Sequence, residues 1–231
     1  MSAIGATVTH AGAPGERAVT RALHRLFFIA LGTLPGPISR RARAGVVNRL
    51  FASGSPWPYA DCPYESVKRE HLIARVPHDA RTIVELGCAD GHNLQILAQM
   101  RPGGRVIGAD ISERACALAR ERTRHQSEVE VVHGDSAALV AQHPDLAHGV
   151  DAIVISEVLY YLGSGRNFTE QLAPLRALIT PGGCVIAVHT CADAASLHRR
   201  AAAALRFSVT SEQQVGLADR SFTISVLTRI R

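Results

Sequence analysis

The 231-residue chain has almost no lysine: Lys68 is the single one, and its other 24 basic residues are arginines. This is a coding bias and carries no functional information by itself. Cysteine is sparse too. Cys62, Cys88, Cys116, Cys184 and Cys191 are odd in number, and no two stand in C-x-x-C spacing. That pattern argues against a disulfide framework or a structural zinc site and fits a reducing cytoplasm. No apolar run reaches the roughly 20 residues that a membrane-spanning helix needs. The stretch from Leu26 to Leu34 follows arginines as a signal sequence would, but no clean small-residue cleavage site comes after it. A cytoplasmic protein without a signal peptide is expected. Repeats and low-complexity tracts are missing as well. What remains is ordinary globular composition, 47% hydrophobic and 19% charged, in a chain long enough for one large domain with a small appendage.

The formal charge of +5 is unevenly spread. Residues 1–57 carry seven arginines against one acid, Glu16, so this segment holds +6 and the remainder about −1. A basic arm can face nucleic acid, an anionic lipid surface or an acidic substrate, or can be a solvated helix face. Residues 1–15 read as a mobile tail. From Glu16 to Leu34, Val19, Ala22, Leu23, Leu26, Phe27, Ala30, Leu31 and Leu34 follow helical spacing, with Arg17, Arg21, His24 and Arg25 opposite, until Pro35-Gly36-Pro37 ends the pattern. A second basic helix is expected from about Ile38 to Phe51, a loop over Ser53 to Pro63, and a third helix near Tyr64 to Arg75. These helices form an N-terminal cap over 16–77. The broad apolar stripe of the first favours docking on the body, as a lid or simple packing, over contact with a membrane surface.

From residue 78 the period changes. Short apolar runs at 81–87, 105–111, 129–135, 150–158 and 180–190 read as strands and alternate with helical segments at 92–100, 112–124, 136–143 and 167–179. A helix near 194–205 precedes two alternating segments, 206–215 and 220–230, which suit an antiparallel pair. Such alternation implies right-handed βαβ crossovers, and so a mostly parallel seven-stranded sheet with an antiparallel last strand and helices on both faces.

In open α/β sheets, ligands bind beyond the carboxyl ends of the strands, so the residues at those ends are the candidates. The first strand runs into Glu85-Leu86-Gly87-Cys88-Ala89-Asp90-Gly91, the second ends in Asp110, the third in Gly134-Asp135, the fourth in Ser156-Glu157, and the fifth in His189-Thr190. Gly87 and Gly91 permit a sharp turn and close approach of backbone to ligand. Asp110 can accept from both hydroxyls of a ribose, and Asp135 from an exocyclic amine such as that of adenine. The turn holds no lysine or arginine for a pyrophosphate and does not supply the G-x-G-x-x-G of an NAD-dependent oxidoreductase. Glu85 and Asp90 make it acidic instead. That suits a cationic ligand, and an ammonium together with a sulfonium describes S-adenosylmethionine.

The ordered pieces ELGCADG (85–91), ADIS (109–112), HGD (133–135) and LITPGG (178–183) resemble those of the class I S-adenosylmethionine-dependent methyltransferases over about 80–230. Ala89 departs from the central glycine of many members, a difference of one methyl. PYESVK (63–68), ELGCADGH (85–92) and SEVLYYLG (156–163) look like the nodulation protein S methyltransferases, which act on an amine of a glucosamine-containing oligosaccharide. The resemblance implies a Rossmann-like α/β fold and a cofactor site of Glu85, Gly87, Cys88, Ala89, Gly91, Asp110, Ile111, Asp135, Ser136 and Ser156, with Tyr64 and Lys68 closing over the cofactor. It also implies methyl transfer to a small-molecule acceptor, most simply an amine nitrogen of a sugar-like or secondary metabolite.

Each assignment has a structural counterpart. Glu85 and Asp135 can serve as a strand-end hydrogen bond and a helix cap, and Cys88 as a small buried side chain. Glu157 is the best-placed acid to orient an amine or take its proton. His189 is a second candidate base, and Tyr160 and Tyr161 are candidates to line the acceptor pocket. No metal is expected, and short inserts between the motifs disfavour a nucleic-acid substrate. Small-molecule O-methylation, and a non-catalytic cofactor-binding module that uses the basic arm, are the alternatives.

Overall fold

The computed structural model describes residues 36–56, 62–217 and 220–229. The tail at 1–15 and the helix expected at 16–34 lie outside these residues. Seven strands, β1 (Thr82–Leu86), β2 (Arg105–Asp110), β3 (Val129–His133), β4 (Val150–Ser156), β5 (Ile179–His189), β6 (Phe207–Leu217) and β7 (Arg220–Arg229), form one sheet in the order β3-β2-β1-β4-β5-β7-β6. β1 to β5 pair in parallel, and β7 inserts antiparallel between β5 and β6. The chain steps outward from β1 to β3 and then returns to β4 on the other side of β1. The ligand-binding switch point of such a sheet therefore lies between the carboxyl ends of β1 and β4.

Strand alternation explains which side chains go where. Val84, Leu86, Ile153 and Ile155 face one layer, built by α5 (Ser136–Gln142), α6 (Gly165–Leu172) and α7 (Ala194–Leu205). Ile83, Val106, Ala152 and Val154 face the other, built by α2 (Pro63–Ile73), α3 (His92–Met100) and α4 (Glu113–Arg122). Both faces of the central strands are buried, which is why β4 reads as a continuous apolar run and not an alternating one. Glu85 shares the second face with Ile83, so the pleat directs a carboxylate inwards toward α3.

Most element boundaries agree with the sequence reading to within one or two residues. One helix does not. The segment expected as a helix from 167 to 179 is α6 over Gly165–Leu172 followed by a 3-10 turn over Ala173–Ala177. Pro174 cannot donate the next helical hydrogen bond, so the helix tightens and ends there.

Ahead of the sheet stands α1 (Gly36–Leu50), which reaches residues just past the ends of β2, β3 and β4. Arg43 is 3% exposed and donates through Nη1 to the Tyr161 carbonyl at 2.9 Å. Asn48 Oδ1 accepts from Ser112 Oγ at 3.0 Å and from the Arg114 amide at 3.1 Å. Arg40 reaches Asp135 at 3.8 Å. A basic helix is thus fastened to the strand ends by directed hydrogen bonds, with little apolar burial.

Candidate active site

The turn after β1 takes its shape from three left-handed residues, Gly87 (φ 78), Ala89 (φ 49) and Gly91 (φ 79). Two of these positions require glycine. A Cβ on Gly87 would stand 2.2 Å from Val158 Cγ2, and one on Gly91 would stand 2.9 Å from the Ala119 backbone. Ala89 holds the left-handed conformation at a cost of about 1–2 kcal/mol. Cys88 contributes only backbone. Its side chain is buried in the core and lies against Gly108, and burial pushes its thiol well above the ordinary range.

Asp110 ties this turn to the next strand. Its Oδ2 accepts from the Ala89 amide at 3.0 Å and its Oδ1 from the Ser112 amide at 2.8 Å. It is 7% exposed, and burial raises its pKa despite these bonds. Ser112 in turn caps α4 by accepting from the Ala115 amide at 3.2 Å. Each carboxylate oxygen keeps one lone pair, so the group can still accept two hydroxyls.

Glu85 is 1% exposed. Asn93 Nδ2 donates to its Oε1 at 2.7 Å, while Oε2 has no partner. Burial, reinforced by Asp90 and Asp110, pushes its pKa up to about 8 even though the Asn93 bond opposes the shift. At neutral pH the carboxyl is therefore largely protonated. An orphaned, buried carboxyl oxygen beside a glycine turn suits a cationic ligand, whose charge would replace the missing solvation. Asp90 is also buried, but Arg122 engages it at 2.8 Å and also donates to its carbonyl. Its charge is thereby largely compensated.

The cleft at the switch point is lined by Glu85, Gly87, Cys88, Ala89, Asp90, His92, Asn93, Ser156 and Glu157 and holds about 320 Å³ free of protein atoms, its open mouth included. A larger and more open groove runs along α3 and α4 past Ser55, Gln95 and Glu121. It lies away from the strand ends and meets the cleft only at Asp90.

Glu157 adopts a left-handed backbone (φ 58) just past β4, a conformation that costs a non-glycine residue about 1–3 kcal/mol. The turn aims its carboxylate into a dense set of donors. Lys68 Nζ donates to Oε1 at 3.1 Å; Tyr160 Oη at 3.0 Å, the Thr190 amide at 3.3 Å and Thr190 Oγ1 at 3.3 Å all donate to Oε2. Lys68 is 5% exposed and also pairs with Glu65 at 2.8 Å. Burial alone would push its ammonium down, but Glu157 and Glu65 outweigh that and hold it above its ordinary value.

Several sequence expectations need correction. His189 is fully buried, and both ring nitrogens are occupied. It has no nitrogen facing the cleft and cannot act as the base. Ser136 is 2% exposed and donates its hydroxyl to the Gln171 carbonyl, so it serves helix packing. Asp135 caps α5 by accepting from the Ala137 and Ala138 amides, both at 3.1 Å. Tyr160 does not line the cleft but braces Glu157; burial first, and then the Glu157 charge, push its phenol well up. Tyr64 packs edge-on against Phe222 and donates to the Ser221 carbonyl at 3.2 Å, while Lys68 goes to Glu157. Both side chains are thus engaged by β7 and by Glu157, which shares the cleft with the glycine turn. Ile111 is half-buried beside Asp110, and Ser156 lines the cleft.

Among the described residues, no helix is long and apolar enough to cross a membrane, and no group of three His, Cys, Asp or Glu side chains is placed to hold a metal ion.

Comparison with known proteins agrees with this geometry. Residues 84–185 match the family described as "Methyltransferase domain". A trans-aconitate 2-methyltransferase of Variovorax paradoxus is 32% identical over 157 residues, which cover 67% of this chain and 56% of that protein. Nodulation protein S of Rhizobium tropici is 26% identical over 143 residues, 61% of this chain and 57% of that protein. The chain thus spans about half the length of these curated relatives. Among solved structures, the N-methyltransferase NodS from Bradyrhizobium japonicum WM9 in complex with S-adenosyl-L-homocysteine superposes with a TM-score of 0.64 at 22% identity, over 80% of this chain and 97% of that one. A magnesium protoporphyrin IX methyltransferase from Synechocystis PCC 6803 with bound SAM superposes with a TM-score of 0.58 at 16% identity, over 81% and 97%.

Proposed function

We propose that this chain, whose residues 84–185 match the methyltransferase domain family, is an S-adenosylmethionine-dependent enzyme that methylates an amine nitrogen of a small, sugar-like or secondary-metabolite acceptor in the cytoplasm. The observation that supports the acceptor class is the Glu157 carboxylate, which lines the cleft and is held in one direction by Lys68, Tyr160 and Thr190. A fixed hydrogen-bond acceptor suits an N–H of the acceptor, and among the described residues no lysine or arginine lines the cleft to pair with a carboxylate substrate.

The residues present fit the cofactor. The orphaned Oε2 of Glu85 suits an ammonium, the free lone pairs of Asp110 suit ribose hydroxyls, the turn from Gly87 to Gly91 admits close approach, and Ile111 offers an apolar flank. When bound, S-adenosylmethionine supplies a methyl group on a sulfonium, already activated toward displacement. The chain's own task is then to hold the acceptor nitrogen in line. Confinement of this kind is worth up to about 7–11 kcal/mol in favourable intramolecular systems. The Glu157 carboxylate keeps a lone pair on Oε1, accepts an N–H from the acceptor and stabilises the positive charge that nitrogen gains as it attacks. Lys68, Tyr160 and Thr190 fix the carboxylate's direction.

Carboxylate O-methylation is the second reading, favoured by the relatives named trans-aconitate 2-methyltransferase. It requires a cation facing the acceptor, and Lys68 is already taken by two carboxylates. Transfer of labelled methyl groups from S-adenosylmethionine to a panel of aminosugars and tricarboxylates separates the two. Labelled amines support the first reading, and labelled tricarboxylates alone overturn it.

Glu85 makes the cofactor step visible without an acceptor. With a pKa of about 8, its carboxyl is mostly protonated at pH 7, and an ammonium beside Oε2 would drive the proton off. Binding of S-adenosylhomocysteine at pH 7 is therefore expected to release about one proton. Titrations in buffers of different ionisation enthalpy will show it as a buffer-dependent heat. Glu85→Gln should abolish that dependence; an unchanged proton count in the variant would assign the proton to another group.

The same shift has a sign for stability. A carboxyl raised above its unfolded value favours the fold at acid pH, and that contribution is lost as pH rises toward about 8. A bound cation offsets the loss.

A further inference from the structure

We propose that His189 and His198 form a buried, direction-locked hydrogen-bond relay that positions the Glu157 turn, with His189 serving as a backbone acceptor. The inference rests on the reading of Glu157 as the acceptor-binding group and adds how that group is held.

The direction follows from one end of the chain of bonds. The Val158 and Leu159 amides approach His189 Nε2 at 3.2 and 3.0 Å. A backbone N–H can only donate, so Nε2 is unprotonated and the ring is neutral with its hydrogen on Nδ1. Nδ1 lies 2.8 Å from His198 Nε2, which must therefore accept. His198 then carries its own hydrogen on Nδ1 and donates to Ser225 Oγ at 2.7 Å. His189, His198 and Ser225 are all 0% exposed, so water does not compete at any link. The Glu157 amide donates to the Val188 carbonyl at 2.9 Å. Three successive amides, 157 to 159, are thus pinned to the end of β5, and these are the residues that must hold the left-handed backbone of Glu157.

The surroundings keep the relay in one state. His198 faces His189 from α7, the Tyr160 ring lies 5.6 Å away from the turn after β4, and the Lys68 ammonium acts on His189 from α2. Burial, with help from His198 and Lys68, holds His189 well below the ordinary histidine range; burial and Arg199 bring His198 to about 4. Both rings stay neutral where an exposed histidine would titrate. The stability they contribute is complete above about pH 6.5 and is lost as pH falls toward 4.

The test combines spectroscopy with substitution at His198, which is remote from the cleft. Nitrogen NMR of histidine-labelled protein should show His189 as the Nδ1–H tautomer, without titration between about pH 5 and 8. His198→Leu fills the space but removes the acceptor. It should expose the Val158 and Leu159 amides to hydrogen exchange and lower kcat about tenfold, with the affinity for S-adenosylhomocysteine unchanged. His198→Gln, which can accept again, should restore exchange protection and kcat. An Nε2–H tautomer, an ordinary histidine titration, or full protection in folded His198→Leu would overturn the relay. Tautomer and exchange need no acceptor substrate, so they decide the relay even if the amine reading fails.

Discussion

Asp110→Ala is expected to weaken binding of S-adenosylhomocysteine at least about 100-fold. The carboxylate does two things at once. It holds the Ala89 and Ser112 amides, which fixes the glycine turn and the start of α4, and under the proposed function its remaining lone pairs would accept the hydroxyls of the cofactor's ribose. Losing a charge-assisted contact of this kind costs about 1.5–3 kcal/mol, and about 1.4 kcal/mol corresponds to tenfold in affinity. Loss of pre-organisation in the turn adds to it. Alanine also leaves two amides without their acceptor, at about 1–3 kcal/mol each if they stay buried, so the variant should melt earlier. Asp110→Asn separates the effects. Its amide oxygen can still accept one of the two amides, which restores part of the stability, while the charge toward the ribose is gone. Affinity within threefold of the parent in a folded Asp110→Ala would mean that the ligand does not sit at the end of β2.

The second large effect is expected at Glu157. Glu157→Gln should lower kcat about 100-fold, within the range removed with a positioned acid or base, and leave cofactor affinity nearly unchanged. Glutamine keeps the shape and can accept from Tyr160 and Thr190, but it cannot at the same time answer Lys68 with a charge. Both variants leave the Lys68 ammonium with Glu65 as its only charged partner, but Glu157→Ala would fail for an additional reason. It also removes the acceptor for Tyr160 and Thr190 and empties the space between them. The glutamine variant therefore carries the prediction, with circular dichroism and a melting curve as controls. Full turnover in Glu157→Gln would remove the carboxylate from the reaction.

The alternation of seven strands with helices and the residues at the strand ends were legible in the sequence for a single reason. Both are written as local patterns. Period-2 and period-3.6 apolar spacing marks strands and helices, and a residue at a strand's end is placed by that fact alone. Gly87, Gly91, Asp110 and Glu157 are in this class. What could not be read depends on contacts between distant segments. Lys68 meets Glu157 across 89 residues, and Arg43 meets the Tyr161 carbonyl across 118. Nothing near Lys68 in the sequence indicates that it will brace an acid instead of closing over a cofactor.

His189 shows the same limit from the other side. Its place at the end of β5 is that of a candidate base, and only the approach of the Val158 and Leu159 amides reveals an acceptor already in use. Ser136 and Asp135 lie at a helix start, where capping and ligand binding call for the same residue types, so sequence alone leaves both roles open. Thr190 and Asn93, which steady Glu157 and Glu85, were not among the candidates. Thr190 stood in view at the strand end, but threonine there has no distinctive chemistry until a carboxylate is seen beside it.

The departure at Ala89 is instructive for the cofactor site. The turn keeps its left-handed geometry there without glycine, because Gly87 and Gly91 carry the positions where a Cβ would collide. The requirement for glycine is thus positional and does not extend to the whole turn.

Calorimetric titration of the purified protein with S-adenosylmethionine, S-adenosylhomocysteine and NAD tests the central claim most directly. Binding of the first two in the micromolar range, accompanied by proton release at pH 7 and without detectable binding of NAD, is the expected result. Binding of NAD alone, or equal binding of all three, would contradict the assignment of the cleft.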